Sequence, residues 1–257
     1  MAGEFAIGDK ALLVDAKQRR YLITLTAGGE FHSHTGVIPH ADIIGKPEGS
    51  EFRSSRGSRF VGFRPRLADF VLKMPRGAQV IYPKDLGPLL LLADIRPGVR
   101  VLESGVGSGA LSMAMLQAGA EVVGYELREE FAARATGNVT QFLDEQARGR
   151  YRVELRNCYD GIDEVDLDRV VLDVPEPWQV VKHAERALRP GGIIAAYTPT
   201  ILQAAHLREQ LDAGRFALAE TIEVLHRSWH IEGQSVRPDH RMVAHTGFLT
   251  AARLLAA

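Results

Sequence analysis

From about Arg66 onward, short apolar runs alternate with longer stretches in which apolar side chains return every third or fourth position. The first kind reads as buried strands and the second as amphipathic helices. "RVLES", "EVVGYEL", "YRVELRN", "DRVVLDV" and "GGIIAAYTP" are the strands. "GALSMAMLQAG", "REEFAARATGNVTQFLDEQA", "PWQVVKHAERAL" and "TILQAAHLREQLDAG" are the helices. Alternation at this spacing predicts a mainly parallel sheet with helices on both faces. Two helices precede the series, "PRLADFVLKM" and "KDLGPLLLLADI", the second weakened by Pro88. Pro75, Gly77 and Pro83 keep the chain between them out of helix. The tail changes again. "RFALAETIEVLHRSWHIEG" and "HRMVAHTGFLTAARLLAA" are β-prone runs around a polar loop, which predicts an antiparallel hairpin at the sheet edge.

Residues 1–64 show no 3.6-residue apolar period. "KALLVDAKQRRYLITLTAGGEF" reads as two strands around a polar turn. Short β-prone runs follow, between Gly, Pro and Ser. The expected division is a small β-rich domain over 1–64 and an α/β domain over 65–257. The alternative for the first part is an extended insertion packed on the second.

Composition narrows the class without naming a function. The 257 residues are 46% hydrophobic and 25% charged, as in ordinary globular proteins. No apolar run approaches the roughly 18 residues that span a bilayer. The N-terminal "MAGEFAIGDK" lacks a basic segment followed by an apolar core, so no signal peptide is expected. The one cysteine, Cys158, has no partner for an internal disulfide, and no Cys/His set has zinc spacing. A cytoplasmic protein without metal is expected. A net charge of −1 means that a nucleic-acid partner would need a local basic patch.

Candidate chemistry begins in "VLESGVGSGALS". Gly105, Gly107 and Gly109 lie between a strand and a helix, where glycines allow a tight turn and close approach of a ligand. Gly105, Gly107 and Ala110 also satisfy the relaxed dinucleotide pattern, so this turn alone leaves NAD open. Glu126 ends the next strand, where a carboxylate accepts hydrogen bonds from ribose hydroxyls in either reading. Glu103 favours S-adenosylmethionine. It stands two residues before the first glycine, suited to the cationic methionine end of that cofactor and unsuited to a pyrophosphate. The G-x-G-x-G spacing and the antiparallel tail point the same way. Ser104, Val106 and Ser108 complete the cofactor loop. Phe131 is a candidate for packing on the adenine, or a core residue of its helix. Asn157 ends the third strand and can accept from the adenine amine.

In "RVVLDVPEPWQVVKH", Asp173 closes an apolar strand that the prolines forbid from continuing. The acid is thereby held at a strand tip, where α/β proteins place their chemistry. "RSSRGSRFVGFRPR" carries Arg53, Arg56, Arg59 and Arg64 around Phe60 and Phe63. Such a run is a solvated face or an RNA contact surface. His32, His34 and His40 are read as polar or interface histidines.

"YPKD" (Tyr82 to Asp85), "VLESGVGSG", "LDVPEPW" and "RPDHRMVAHTGFL" occur in that order, after "GGEFHSHTGVIPH". Over nearly the whole chain they resemble the bacterial and archaeal tRNA (adenine-58-N1)-methyltransferases. The resemblance implies a Rossmann-like class I methyltransferase domain behind a small N-terminal β domain, usually as a homotetramer. It implies methyl transfer from S-adenosylmethionine to ring nitrogen 1 of an adenine in the tRNA T-loop. Asp173 matches the active-site aspartate, Tyr82 and Tyr197 the tyrosines of the target-base pocket, and Glu126 the ribose acid. The chain departs from the family at Asn157, where many members carry aspartate, and at Ser104 and Val106. A nicotinamide-dependent oxidoreductase and a non-catalytic RNA-binding subunit are the competing readings.

Overall fold

The computed structural model describes residues 3–77 and 79–256. They form two compact units that divide between Met74 and Pro75.

The first unit is β-rich, as its pattern predicts. A four-stranded antiparallel sheet has the order Arg20–Thr24, Lys10–Asp15, Arg59–Phe63, Glu51–Arg53. A separate hairpin pairs Glu30–Ser33 with Gly36–Pro39. Phe5, Leu13, Leu25, Phe31, Ile38, Phe52 and Phe60 make its core. The first turn is fixed by Asp15, whose carboxylate accepts from the Lys17 and Arg19 amides at 2.9 and 3.0 Å. The unit ends at Met74 and not at 64, because the helix Leu67–Lys73 is tied into it. Asp69 of that helix takes ion pairs from Arg20 at 2.9 Å and Arg66 at 2.8 Å. The Arg66 bond leads the causes that hold the Asp69 carboxyl below its usual range.

The second unit is a seven-stranded sheet. In chain order its strands are β1 (Arg100–Ser104), β2 (Glu121–Glu126), β3 (Tyr151–Leu155), β4 (Leu167–Leu172), β5 (Leu188–Thr198), β6 (Phe216–Glu223) and β7 (Phe248–Leu254). Their spatial order is β3-β2-β1-β4-β5-β7-β6. Six of them run in one direction, and β7 runs opposite to them between β5 and β6. The order reverses between β1 and β4, so a crevice opens at their carboxyl ends, the usual ligand site of such sheets. The helices are α1 (Pro83–Leu92), α2 (Ala110–Gln117), α3 (Glu129–Phe142), α4 (Val181–Ala187) and α5 (Ile201–Ala213). Every residue of β4 is buried, as a central strand covered on both faces requires.

Three local features differ from the sequence expectation. The helix expected over "REEFAARATGNVTQFLDEQA" breaks after Phe142, and Asp144 caps a new turn by accepting from the Ala147 amide at 2.8 Å. "PWQV" forms a 3₁₀ turn before α4 begins. The tail strands β6 and β7 do pair antiparallel at the edge. Their connection, however, carries a hairpin of its own, Trp229–Glu232 with Ser235–Pro238. Pro88 is accommodated inside α1.

Candidate active site

The crevice is built by two sequence segments pressed against each other. After β1, Gly105, Gly107 and Gly109 have φ of 85°, 55° and 81°, the left-handed region that favours glycine. A Cβ on Gly105 would lie 2.0 Å from the Asp173 carbonyl oxygen. The Asp173 amide donates to the Ser104 carbonyl at 2.8 Å. The glycine loop and the "LDVPEPW" turn therefore require each other.

Glu126 holds the loop from the tip of β2. One carboxylate oxygen accepts from the Gly107 amide at 3.0 Å. The other accepts from the Leu127 and Arg128 amides at 2.9 and 3.0 Å. Glu103 is fully buried at the end of β1. Its Oε2 accepts from the Ser112 hydroxyl at 2.5 Å, while its Oε1 has no partner among the described residues. The Ser108 hydroxyl is buried and likewise unpartnered. Burial, with the negative Asp173 and Glu126 adding to it, pushes the Glu103 carboxyl up to about 8 against the opposing Ser112 bond. Glu103 and Ser108 line a small cleft of about 20 Å³ between the loop and Gln79–Ile81.

Beside this cleft lies a cavity of about 600 Å³. Gly105, Gly107, Glu126, Arg128, Asn157 and Asp173 are on its walls. Asp173 stands one residue beyond β4, half-buried. Burial, then the neighbouring Glu126, pushes its carboxyl up to about 7. The turn behind it is braced, since Gln203 donates to the Pro175 carbonyl at 2.8 Å and the Glu176 amide donates to the Tyr159 hydroxyl at 3.0 Å. The Glu176 carboxylate is taken by Gln179 at 2.7 Å. Trp178 packs edge-on against His206, 5.3 Å between ring centroids.

The remaining candidates distribute as follows. Asn157 lines the cavity, with its side-chain oxygen accepting from the Tyr159 amide at 3.2 Å. Phe131 is buried and is not among the lining residues; the Arg128 guanidinium carbon sits 3.6 Å above its ring. Tyr82 is half-buried at the N-cap of α1. Tyr197 is buried at the end of β5, its hydroxyl donating to the Thr246 carbonyl. Burial, then the charges of Asp85 and Asp173, pushes that hydroxyl up to about 12.

In the first unit, Arg59 pairs with Glu51, and Arg64 pairs with Asp9 at 3.0 Å. Among the described residues, Arg53 and Arg56 reach the carbonyls of Gly57 and His34, each at 3.3 Å, and no acid. The three histidines go to separate partners, His32 to Glu30, His34 to Arg19 and His40 to Thr26. Among the described residues no group of three or more His, Cys, Asp or Glu side chains is placed to hold a metal ion.

Sequence reasoning passed over Ser112 and Arg128. The one hydroxyl in the apolar "ALSMAM" face of α2 is a local signal for the first. Arg128 carries none, because its contact with Phe131 depends on how the helix start is folded.

Chemically, the crevice gathers three carboxylates, Glu103, Glu126 and Asp173, around glycine amides. Three acids crowded together disfavour a pyrophosphate and suit a cationic ligand, which would favour their charged forms. The two unpartnered buried atoms, Glu103 Oε1 and Ser108 Oγ, mark where polar groups of such a ligand fit.

Comparisons with known proteins identify a family. A family profile described as tRNA methyltransferase complex GCD14 subunit matches residues 63–237, and one described as TrmI-like N-terminal matches residues 3–51. A Thermus thermophilus protein named tRNA (adenine(58)-N(1))-methyltransferase TrmI is 36% identical over 94% of this chain and 95% of its own. The crystal structure of the tRNA (m1A58) methyltransferase TrmI from Aquifex aeolicus superposes with a TM-score of 0.87 at 29% identity, covering 99% of this chain and 100% of that one. A Thermotoga maritima crystal structure, described as a SAM-dependent O-methyltransferase, has a TM-score of 0.94 at 32% identity, covering 100% and 96%.

Proposed function

The chain belongs to the TrmI-type tRNA methyltransferase family, and from that premise we propose that it methylates ring nitrogen 1 of adenine 58 in the tRNA T-loop. The observation that carries the site assignment is Asp173, held by a braced turn at the floor of the crevice beside the glycine loop. When bound, S-adenosylmethionine supplies an electrophilic methyl group on a sulfonium. Glu103 and Ser108 suit its methionine end, Glu126 its ribose and Asn157 its adenine; Ser104 to Gly109 give the backbone cradle. Phe131, under Arg128, supports the adenine side from behind the wall.

Nitrogen 1 of adenine is a weak nucleophile, because its lone pair is in an sp2 orbital of an electron-poor ring; donation from the exocyclic amine is what strengthens it. Asp173 accepts a hydrogen bond from that amine, which raises electron density on the ring. The same bond holds the base in line for displacement. As positive charge develops on the purine, the carboxylate stabilises it and can take the amine proton. No side-chain nucleophile is needed, so orientation supplies much of the rate. The adenine must leave its stack to reach a pocket, and Tyr82 and Tyr197 are the aromatic walls proposed for it.

An oxygen acceptor, as the Thermotoga description names for that protein, would need its hydroxyl proton removed before attack. Adenine nitrogen 1 presents its lone pair directly. The test is transfer from labelled S-adenosylmethionine to unmodified tRNA transcript, with nucleoside analysis. N1-methyladenosine in the T-loop is expected. A ribose O-methyl product, or none with cofactor bound, overturns the proposal.

The RNA reading of the first unit now rests most on Arg53 and Arg56, whose side chains among the described residues hold carbonyl oxygens and no acid. Replacing both by alanine should weaken tRNA binding and lower its salt slope by about one unit for each phosphate no longer neutralised. Cofactor affinity should not change. Titrations at several salt concentrations check this; an unchanged slope removes these two residues from the interface. We also propose a homotetramer. Trp229, Ile231 and Val236 are 57, 73 and 59% exposed on the tail hairpin, an apolar surface suited to a second copy. Among the described residues no helix is long and apolar enough to cross a membrane. The proposed location is the cytoplasm, where a tRNA substrate is found.

A further inference from the structure

The first turn of α1 carries a buried ion pair that the mechanism above does not use. Lys84 Nζ donates to Asp85 Oδ1 at 2.7 Å and to the Val224 carbonyl at 2.6 Å. The other Asp85 oxygen accepts from the Thr246 hydroxyl at 2.7 Å. The two charged side chains are 4 and 0% exposed. Val224 directly follows β6, and Thr246 lies two residues before β7. Both ends of the excursion that carries the tail hairpin are thus fastened to one turn of helix.

That turn begins at Tyr82, the N-cap of α1. The Thr246 carbonyl receives the Tyr197 hydroxyl. The following residue, Gly247, leaves no room for a side chain: a Cβ there would lie 2.5 Å from two carbons of the Tyr197 ring. One chain of contacts therefore runs from Tyr82 through Lys84, Asp85 and Thr246 to the ring and hydroxyl of Tyr197. A buried ion pair contributes little net stability, because desolvation offsets its attraction. Its geometry is nevertheless demanding, and here it ties the helix turn that begins at Tyr82 to the segment that meets Tyr197.

We propose that Lys84, Asp85 and Thr246 are positioning residues that set the spacing of Tyr82 and Tyr197 and so the fit of the acceptor base. The inference rests on the methyltransferase reading. It assigns to the buried network a role in the chemical step and not in cofactor binding. The tail excursion becomes part of the active site, since its two ends hold the pocket wall.

Thr246→Val removes the hydroxyl that reaches Asp85 and keeps the carbonyl that receives Tyr197. The expected result is a fall in kcat on tRNA of roughly 10- to 100-fold, the cost of a small misplacement. The Kd for S-adenosylhomocysteine should stay at the wild-type value. Thr246→Ser, which restores the hydroxyl, should recover activity. In a Tyr197→Phe background, Thr246→Val should add much less than it costs alone, because the Asp85 bond and the Tyr197 bond both act through the placement of residue 246. Should the valine variant fail to fold by circular dichroism, Thr246→Ala removes the same hydroxyl without a methyl facing Asp85. Full activity without the hydroxyl, failure of serine to rescue, or losses that multiply with Tyr197→Phe each overturn the positioning role. Wild-type protein that binds cofactor but methylates no tRNA overturns the reading beneath it as well.

Discussion

Asp173→Ala should lower methyl transfer to tRNA by roughly 10²- to 10⁴-fold, the usual worth of a positioned acid–base group. The adenosylhomocysteine affinity should remain close to wild type. The turn is held by Gln203 and Tyr159 and by the Asp173 amide, which alanine retains. Removing a carboxylate also relieves its repulsion with Glu103 and Glu126. The loss therefore belongs to the acceptor base. The wild-type pH profile gives an independent check. Only the ionised carboxylate accepts the amine hydrogen bond with both oxygens free of protons. With the carboxyl pushed up to about 7, kcat/KM should rise with pH through that region and then level. Burial favours its neutral form. The corresponding stability of the cofactor-free protein is present below the ordinary carboxylate range and is lost as pH rises through about 7. Normal activity in Asp173→Ala would remove the mechanism.

The sequence shows the parallel sheet plainly because each strand is a short apolar run bounded by glycine, proline or charge. The strand tips that carry chemistry, Glu103, Glu126 and Asp173, are legible for the same reason: each is an acid closing such a run. What cannot be read locally is whatever depends on two distant segments meeting. Gly105 looks like any turn glycine until the Asp173 carbonyl is found 2.0 Å from where its Cβ would be. Thr246 is an ordinary tail residue until Asp85 is beside it. Phe131 satisfies the spacing of a wall residue, yet its ring lies beneath Arg128. Arg59 and Arg64 belong to the basic run, but each has an acid within reach that only the folded sheet supplies. The extra hairpin at Trp229–Glu232 was hidden because its strands are exposed and alternate weakly.

Glu103→Gln should abolish the pH dependence of cofactor affinity. In the free protein the carboxyl is pushed up to about 8, so at neutral pH it is mostly protonated. Oε1 has no partner there, and a neutral acid tolerates that far better than a carboxylate. A ligand ammonium placed against Oε1 reverses the preference and favours the charged form. Binding must then expel a proton below pH 8, and linkage requires affinity to rise with pH by up to about tenfold per unit before it levels. Calorimetry with adenosylhomocysteine, which keeps the ammonium and lacks the reactive methyl, reads the proton directly through buffers of different ionisation enthalpy. Wild-type protein should release close to one proton at pH 7 and few at pH 9. Glu103→Gln should release none, binding about as wild type does at pH 6 and markedly more weakly at pH 9. The cofactor-free proteins should differ in the opposite sense. A raised carboxyl contributes stability below the ordinary carboxylate range that is lost as pH rises through about 8, so wild type should melt lower at pH 9 than at pH 6. The glutamine variant should lack that part of the decline and keep the part that Asp173 contributes. Wild-type affinity that is flat from pH 6 to 9 would mean that Glu103 stays neutral in the complex and meets the ligand through a hydrogen bond instead.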